Sequence, residues 1–374
     1  MNRKTIVISA INYFEGGPLT ILRDCLSELS NVKYSSYEII VLVHKISLFE
    51  NEKYPVNILF RELPNSRKSY LFRLYYEFVY FNRLTKSDNS FKNVYLWFSL
   101  HDISPKLKAE KKAVYWQSPS PFYRADIGEL FSNTKLFFHS FLYRYVLQFN
   151  HRSNDFIVVQ AYWLKKKVSS WFNISKNKIV VAQPIQKASG IEVSLEEVNH
   201  IPTFFYPSLP RTHKNFTVLG QAAKVLLKQG ITNFQIILTF KEGDNSFSKS
   251  LYKKFGGVSQ IKFVGVLDKK RVFEHYAHCS ALVFPSRLET WGLPISEFKD
   301  FQKPMLIADL PYAQETVGAY SKARFLDAND PEVWAAFMKK VILKEKIDYQ
   351  KNRTVDIPSP NAENWEELFN VLLE

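Results

Sequence analysis

Short apolar runs alternate with longer amphipathic stretches along the whole chain. Thr5 to Ile11 reads as a strand, Asn12 to Pro18 as a turn carrying Gly16 and Gly17, and Leu19 to Leu29 as a helix. The strand pattern returns at Glu38 to His44, Tyr95 to Leu100, Ala113 to Trp116, Phe156 to Gln160 and Lys178 to Ala182. Runs this short and this apolar suit buried parallel strands, and helical stretches separate most of them. Residues 184–201 are polar, lack strong periodicity and predict a linker. Thr203 to Tyr206 restarts the pattern, and Phe234 to Thr239, Ile261 to Val264, Ala281 to Phe284 and Pro304 to Ala308 continue it. The order predicts two α/β domains with parallel sheets, residues 1–183 and 202–354. An amphipathic helix at Asn364 to Leu373, within a tail of about 355–374, is expected to pack back on the first domain.

Length and composition agree with two cores: 374 residues exceed one ordinary domain, and 46% are apolar. The net charge of +14 suits anionic ligands, an anionic membrane face or nucleic acid, without choosing among them. Cys25 and Cys279 are the only cysteines and form no CxxC pair, so neither a disulfide framework nor a zinc site is indicated. The opening MNRKTIVISAINYFEGG has too short an apolar core for a signal peptide and reads as a first strand. No 18-residue uncharged apolar stretch occurs, and a cytoplasmic location follows as the expectation.

Chemistry concentrates after the run Ala281 to Phe284. Pro285-Ser286 leads to Glu289, then to Trp291-Gly292-Leu293-Pro294 and Glu297, with Pro294 placed to open a helix at its first position. Two carboxylates eight positions apart, beside free backbone N–H groups at a sheet edge, suit a polar phosphorylated ligand. A second block, FYPSLPRTHKN from Phe205 to Asn215, joins a strand to the helix Phe216 to Lys228. It sets Arg211 and Lys214 at the helix mouth, where two cations neutralise a diphosphate. His101-Asp102 and Gln117-Ser118 each follow a strand of the first domain, at ends where open sheets bind ligands. No Asp-x-Asp, GxGxxG or GxxxxGK occurs, which disfavours metal-clasping transferases, dehydrogenases and P-loop enzymes.

These motifs resemble those of the retaining GT-B glycosyltransferases of the large group 1 or family 4 type, similar to bacterial O-antigen and polysaccharide glycosyltransferases. The signature PSxxExxGLPxxE is matched by Pro285, Ser286, Glu289, Gly292, Leu293, Pro294 and Glu297, with Phe263-Val264-Gly265 before it and Glu315 and Gly318 after it. The resemblance covers the second domain closely and the first loosely. It implies two Rossmann-like domains with parallel sheets facing an interdomain cleft. Glu297 would bind the nucleotide's ribose, Glu289 the donor sugar, and Gly292 and Leu293 would offer N–H groups to phosphate. Lys214 and, less directly, Arg211 would balance the diphosphate, Gly16 and Gly17 would form the first domain's glycine turn, and His101 would stand near the reacting sugar. The implied reaction moves a sugar from a UDP- or GDP-linked donor to an acceptor hydroxyl, retaining, with no metal and no cofactor.

For the acceptor, the basic and aromatic first domain suggests a lipid-linked glycan on the inner face of the cytoplasmic membrane, in O-antigen, lipopolysaccharide or capsule assembly. Two segments carry that expectation: Arg67 to Arg83 and Lys135 to Arg152, each of helical length, rich in Tyr and Phe and positive at intervals. Helices packed on the sheet with snorkelling basic ends fit the same residues. Two rivals stay open, a GT-B relative that binds nucleotide sugars or membranes without turnover, and a basic nucleic-acid-binding protein. Against the latter stand the missing recognition motif and the scattered charge.

Overall fold

A computed structural model describes residues 3–122, 142–184, 201–352 and 354–374. They divide into two compact units, Met1–Ile185 with Ile357–Glu374, and Gln186–Asp356. Most of the polar stretch 184–201, and residues 135–141 of the second basic-aromatic segment, lie outside the described residues.

The first unit holds β1 (Thr5–Ala10), β2 (Glu38–Val43), β3 (Ile58–Glu62), β4 (Val94–Ser99), β5 (Lys111–Trp116), β6 (Phe156–Val159) and β7 (Ile179–Ala182). The second holds β8 (Thr203–Tyr206), β9 (Gln235–Leu238), β10 (Ile261–Phe263), β11 (Ala281–Phe284), β12 (Met305–Ala308) and β13 (Ala323–Leu326). The chain then returns to the first unit with β14 (Asn361–Ala362) and the helix Trp365–Leu373. The sheets run β14-β7-β6-β5-β4-β1-β2-β3 and β10-β9-β8-β11-β12-β13, with every pairing parallel.

Both orders reverse direction once, between β1 and β4 and between β8 and β11. At such a switch point the loops leave in opposite directions and open a crevice at the carboxyl ends of the strands, where doubly wound sheets bind ligands. Four of the five loops singled out in the sequence for their chemistry, after β1, β4, β8 and β11, leave from these two places; the fifth, at Gln117-Ser118, follows the neighbouring β5.

Burial explains why the strands are apolar throughout. In β1, Ile6, Ile8 and Ala10 enter one core with the helix Gly16–Leu29 and the C-terminal helix. Val7 enters the other core, with Phe81, Leu84 and Trp97. The C-terminal helix is fixed by Leu368, Phe369 and Leu372, all buried among first-unit residues, and the Tyr95 hydroxyl donates to the Leu373 carbonyl at 2.6 Å. Each such large apolar side chain contributes roughly 1.5–3 kcal/mol on burial.

Three strands lacked a sequence signal. β3 is an edge strand whose Arg61 and Glu62 break the apolar run, β13 contains Arg324, and β14 is two residues long. The turn expected over Asn12 to Pro18 ends earlier, because the helix already begins at Gly16. Arg67 to Arg83 is not one helix either. A 3-10 turn, Pro64–Arg67, precedes helix Tyr70–Tyr75, a π turn Tyr76–Tyr80 and helix Phe81–Ser87.

Candidate functional site

In the second unit, the loops after β8 and β11 are stitched together before any charged group is considered. Asn215 takes the left-handed conformation (φ 56°), one that asparagine tolerates, and starts the helix Phe216–Lys228. Its buried side-chain amide donates to the carbonyls of Pro285 at 3.2 Å and Ala328 at 2.7 Å. From the other loop, the Arg287 N–H donates to the His213 carbonyl at 2.8 Å and Ser286 Oγ donates to the Leu288 carbonyl at 3.2 Å. Tyr206 and Tyr312, both buried, donate to the carbonyls of Lys214 at 2.9 Å and Ser286 at 2.7 Å.

Two residues project from this scaffold toward each other. Lys214 Nζ meets Glu289 Oε1 at 2.5 Å, with both side chains less than a fifth exposed. The negative charge of Glu289 is felt by its surroundings: burial first, and Glu289 second, push the phenols of Tyr206 and Tyr312 well up. Behind the pair, His213 is pushed down to about 3 by burial, then by Lys214 and Arg211, so its imidazole is neutral in the physiological range. Arg211 is exposed, and its carbonyl accepts the Lys214 N–H at 3.0 Å, which closes the turn that aims the lysine.

Gly292 precedes the helix Leu293–Phe298. Pro294 occupies the second helical position rather than the expected first, and Glu297 the fifth, because Leu293 already has helical geometry. Gly292 has φ +93°, and a Cβ there would sit 3.2 Å from Ile295 Cδ1. Glycine is required by backbone conformation and by packing, so room for a ligand is not its only reason. Glu297 Oε2 accepts from the Tyr276 hydroxyl at 2.8 Å. Tyr276 is fully buried, and burial, then the Glu297 charge, hold its phenol protonated. The Tyr276 hydroxyl thus fixes one oxygen of the carboxylate in place.

The first unit's strand ends carry a second polar cluster, largely buried. After β4, His101 Nε2 lies 3.2 Å from Ser9 Oγ and 3.0 Å from Glu77 Oε1, with the imidazole and carboxylate almost wholly inaccessible. Asp102 accepts from the N–H groups of Gln117 at 2.6 Å and Ser118 at 2.9 Å, and from the Tyr143 hydroxyl at 2.7 Å. The Gln117 amide in turn donates to Tyr13 Oη at 2.5 Å and to the Leu100 carbonyl at 2.9 Å. Arg73 lies within electrostatic range of Glu77, Asp102 and Tyr143. His101 and Gln117, placed by the sequence at separate strand ends, therefore belong to one network. Gly16 (φ +65°) and Gly17 begin the helix after β1 with open space beside both Cα atoms, so the positive φ is what makes glycine necessary at 16.

Sequence reasoning missed Tyr206, Tyr276, Tyr312 and Asn215 as supports, and Ser9, Tyr13, Arg73, Glu77 and Tyr143 altogether. Asn215 had a signal, as an asparagine directly before a helix. The tyrosines had none, being three among 20.

Two doubly wound parallel sheets, each with polar residues at its switch point, match the GT-B fold. Residues 192–354 match the family described as Glycosyl transferases group 1. The chain is 21% identical over 253 residues to the O-antigen chain mannosyltransferase RfbU of Salmonella typhimurium, a match covering 67% of this chain and 66% of that one. The glycosyltransferase of Rickettsia africae aligns with TM-score 0.64 at 16% identity, over 92% of this chain and 90% of that one. Anabaena HepE, solved with UDP and glucose, aligns with TM-score 0.62 at 14% identity, over 91% and 90%. The second unit thus matches a group 1 glycosyl transferase domain, and the chain shares its fold with these solved structures.

Proposed function

We propose that this protein transfers a hexose-type residue from a nucleoside diphosphate sugar to a hydroxyl of a lipid-linked glycan, with retention and without a metal ion, in the assembly of a bacterial surface polysaccharide. The observation that carries the reading is the Lys214–Glu289 pair, fixed by stapled loops at the second unit's switch point.

The two charges satisfy one another. A bound donor would share Lys214 between Glu289 and its diphosphate. Glu289 would then accept hydrogen bonds from sugar hydroxyls, and Glu297, held by Tyr276, would accept from the ribose. Gly292 and Leu293 would offer N–H groups to phosphate, and Arg211, exposed nearby in sequence, would close over it. As the bond from the anomeric carbon to the diphosphate oxygen breaks, negative charge grows on the leaving group, and the ammonium stabilises it. The acceptor oxygen bonds to the same carbon, and its proton passes to a phosphate oxygen. On this route no strong protein base is needed. His101, buried against Ser9 and Glu77, would act as a positioning residue for the sugar side of the reaction.

The match to a mannosyltransferase supports a GDP-linked donor and the likeness to a UDP-bound structure supports a UDP-linked one, so both belong in the assay. Product formation from UDP- and GDP-sugars, run in chelator with bacterial lipid extract as acceptor source, tests the reading. The wild type is expected to turn over one donor, and Lys214→Ala to lose about a hundredfold or more in kcat. Nucleotide binding with no turnover of any donor would instead assign the chain to the binding-only class.

A further inference from the structure

We propose that the first unit carries an anion-binding groove at the amino ends of its strands, and that the occupant is a small, soluble, multiply phosphorylated molecule. None of the residues assigned above to sugar transfer takes part.

Topology sets the place. Lys4 directly precedes β1, and Lys92 lies two residues before β4. Lys108 stands in the loop that enters β5, and Lys112 is the second residue of that strand. β1, β4 and β5 are neighbours in a parallel sheet, so their amino ends share one edge. The switch-point loops leave from the opposite, carboxyl edge. The four lysines line a groove of about 710 Å³, within the range of about 300–1,000 Å³ typical of small-molecule sites.

Charge separates this groove from an ordinary surface concavity. Glu110 is the only acid among the residues that line it. Among the described residues, none of these five groups forms an ion pair, whereas Arg23, Lys33 and Arg61 elsewhere on the unit pair with acids. Like charges gathered without counter-ions repel one another, and an anion entering between them relieves that repulsion. Two of the lysines are also held in place. Lys4 Nζ stands 3.7 Å from the centroid of the Tyr95 ring, whose hydroxyl is tied to the Leu373 carbonyl. Lys112 is half-buried, and the nearby Asp155 carboxylate accepts its backbone N–H at 2.9 Å. Burial pushes the Lys112 ammonium's pKa down against the pull of Asp155, so this charge is short of partners. A cation already placed loses less freedom on binding than one that is fully solvated.

The donor set selects the ligand. Ammonium groups are compact point charges that meet phosphate oxygens from several directions. No arginine lines the groove, so it lacks the planar fork that clasps a carboxylate. Its larger apolar lining residues, Phe91, Val94, Tyr95 and Leu107, are all buried. No ring is therefore exposed for stacking nucleic-acid bases, and no large apolar side chain is offered to acyl chains. A soluble molecule bearing several phosphates matches what the groove presents.

Calorimetric titration of inorganic tripolyphosphate into the full chain at low salt tests the proposal. Lys214→Ala serves as the parent, which removes the second unit's ammonium from the reading. The parent is expected to bind tripolyphosphate and to release it as salt rises. Adding Lys4→Gln and Lys108→Gln should weaken binding about tenfold or more and reduce its salt dependence. Adding Lys53→Gln and Lys228→Gln instead removes the same charge from exposed positions outside the groove and should leave binding unchanged. Citrate, which offers carboxylates in place of phosphates, should bind the parent more weakly. Circular dichroism and a thermal midpoint equal to the parent's establish that the variants are folded. The proposal is overturned if tripolyphosphate gives no heat at low salt, if the two double substitutions act alike, or if citrate binds as tightly. Duplex DNA that binds the parent more tightly, with the same dependence on Lys4 and Lys108, would overturn it in favour of a nucleic-acid site. Because no sugar transfer is measured, a chain that turns over no donor would defeat the functional reading while leaving this result intact.

Discussion

The two switch points of this molecule solve the same problem differently. In the second unit, the chemistry stands on two short blocks, Lys214 after β8 and Glu289 with Glu297 after β11, with 75 positions between Lys214 and Glu289. The supports there are mainly backbone carbonyls accepting from side chains, and the ionised groups reach the surface. In the first unit the polar network draws on Ser9, Tyr13, Arg73, Glu77, His101, Gln117 and Tyr143, spread over most of the unit's length, and is nearly closed to solvent. A site that binds a constant chemical group, a nucleoside diphosphate, can be built from a compact motif. On the proposed function the first unit's network positions a variable acceptor, and such a site is free to be assembled from wherever the fold brings side chains together. The contrast teaches that the second unit should keep its ligand when the first is damaged, and the reverse.

The largest expected effect breaks the first unit alone. Phe369 is fully buried beside Tyr34, Phe98 and Trp365, so Phe369→Ala should cost about 3–5 kcal/mol, read as a lower denaturant midpoint of the first unit. Nucleotide affinity should stay unchanged, and a parallel loss would show that the second unit does not hold its ligand by itself. Gly292→Ala comes next, confined to the second unit. The strained φ and the contact with Ile295 predict about 1–3 kcal/mol, together with weakened nucleotide binding, while the first unit's denaturant midpoint stays at the wild-type level. An alanine variant as stable as the wild type would mean that this loop relaxes freely.

The smallest effect is a pH dependence. His213 has a folded pKa of about 3 against 6.5 for an ordinary histidine. Between those values the unfolded chain holds a proton that the folded chain does not. The second unit therefore loses stability as pH falls from 6.5 toward 3, and the neutral His213→Gln should flatten that slope. An unaltered slope in this variant would place the titrating group elsewhere.

The second unit's chemistry was legible because its strands are short apolar runs and its charges follow a fixed spacing; Glu289, Gly292, Glu297 and Lys214 all stand at one strand order's reversal. What the spacing hid was the division of labour. Pro285, Ser286 and Asn215 serve mostly as staples, and Gly292 is set by its backbone angle. The first unit was legible as strands but not as a site. His101 and Gln117 each followed a strand, yet nothing in sequence joins Glu77 to His101 across 24 positions, and a π turn at Tyr76–Tyr80 breaks the helical period that would have shown which side Glu77 faces. Edge strands β3 and β14 escaped because they carry polar residues or are too short to form a pattern.

The central claim is that the second unit's switch point holds a nucleoside diphosphate. Calorimetric titration of UDP and GDP, in chelator, into the wild type, Glu297→Ala, Lys214→Ala and Asp102→Asn tests it most directly. A hydrogen bond to a charged group is worth about 1.5–3 kcal/mol, so each second-unit variant should bind at least about tenfold more weakly. Asp102→Asn, altered only in the first unit's network, should bind as the wild type does. Equal affinity in all four proteins, or heat from neither nucleotide, would contradict the account.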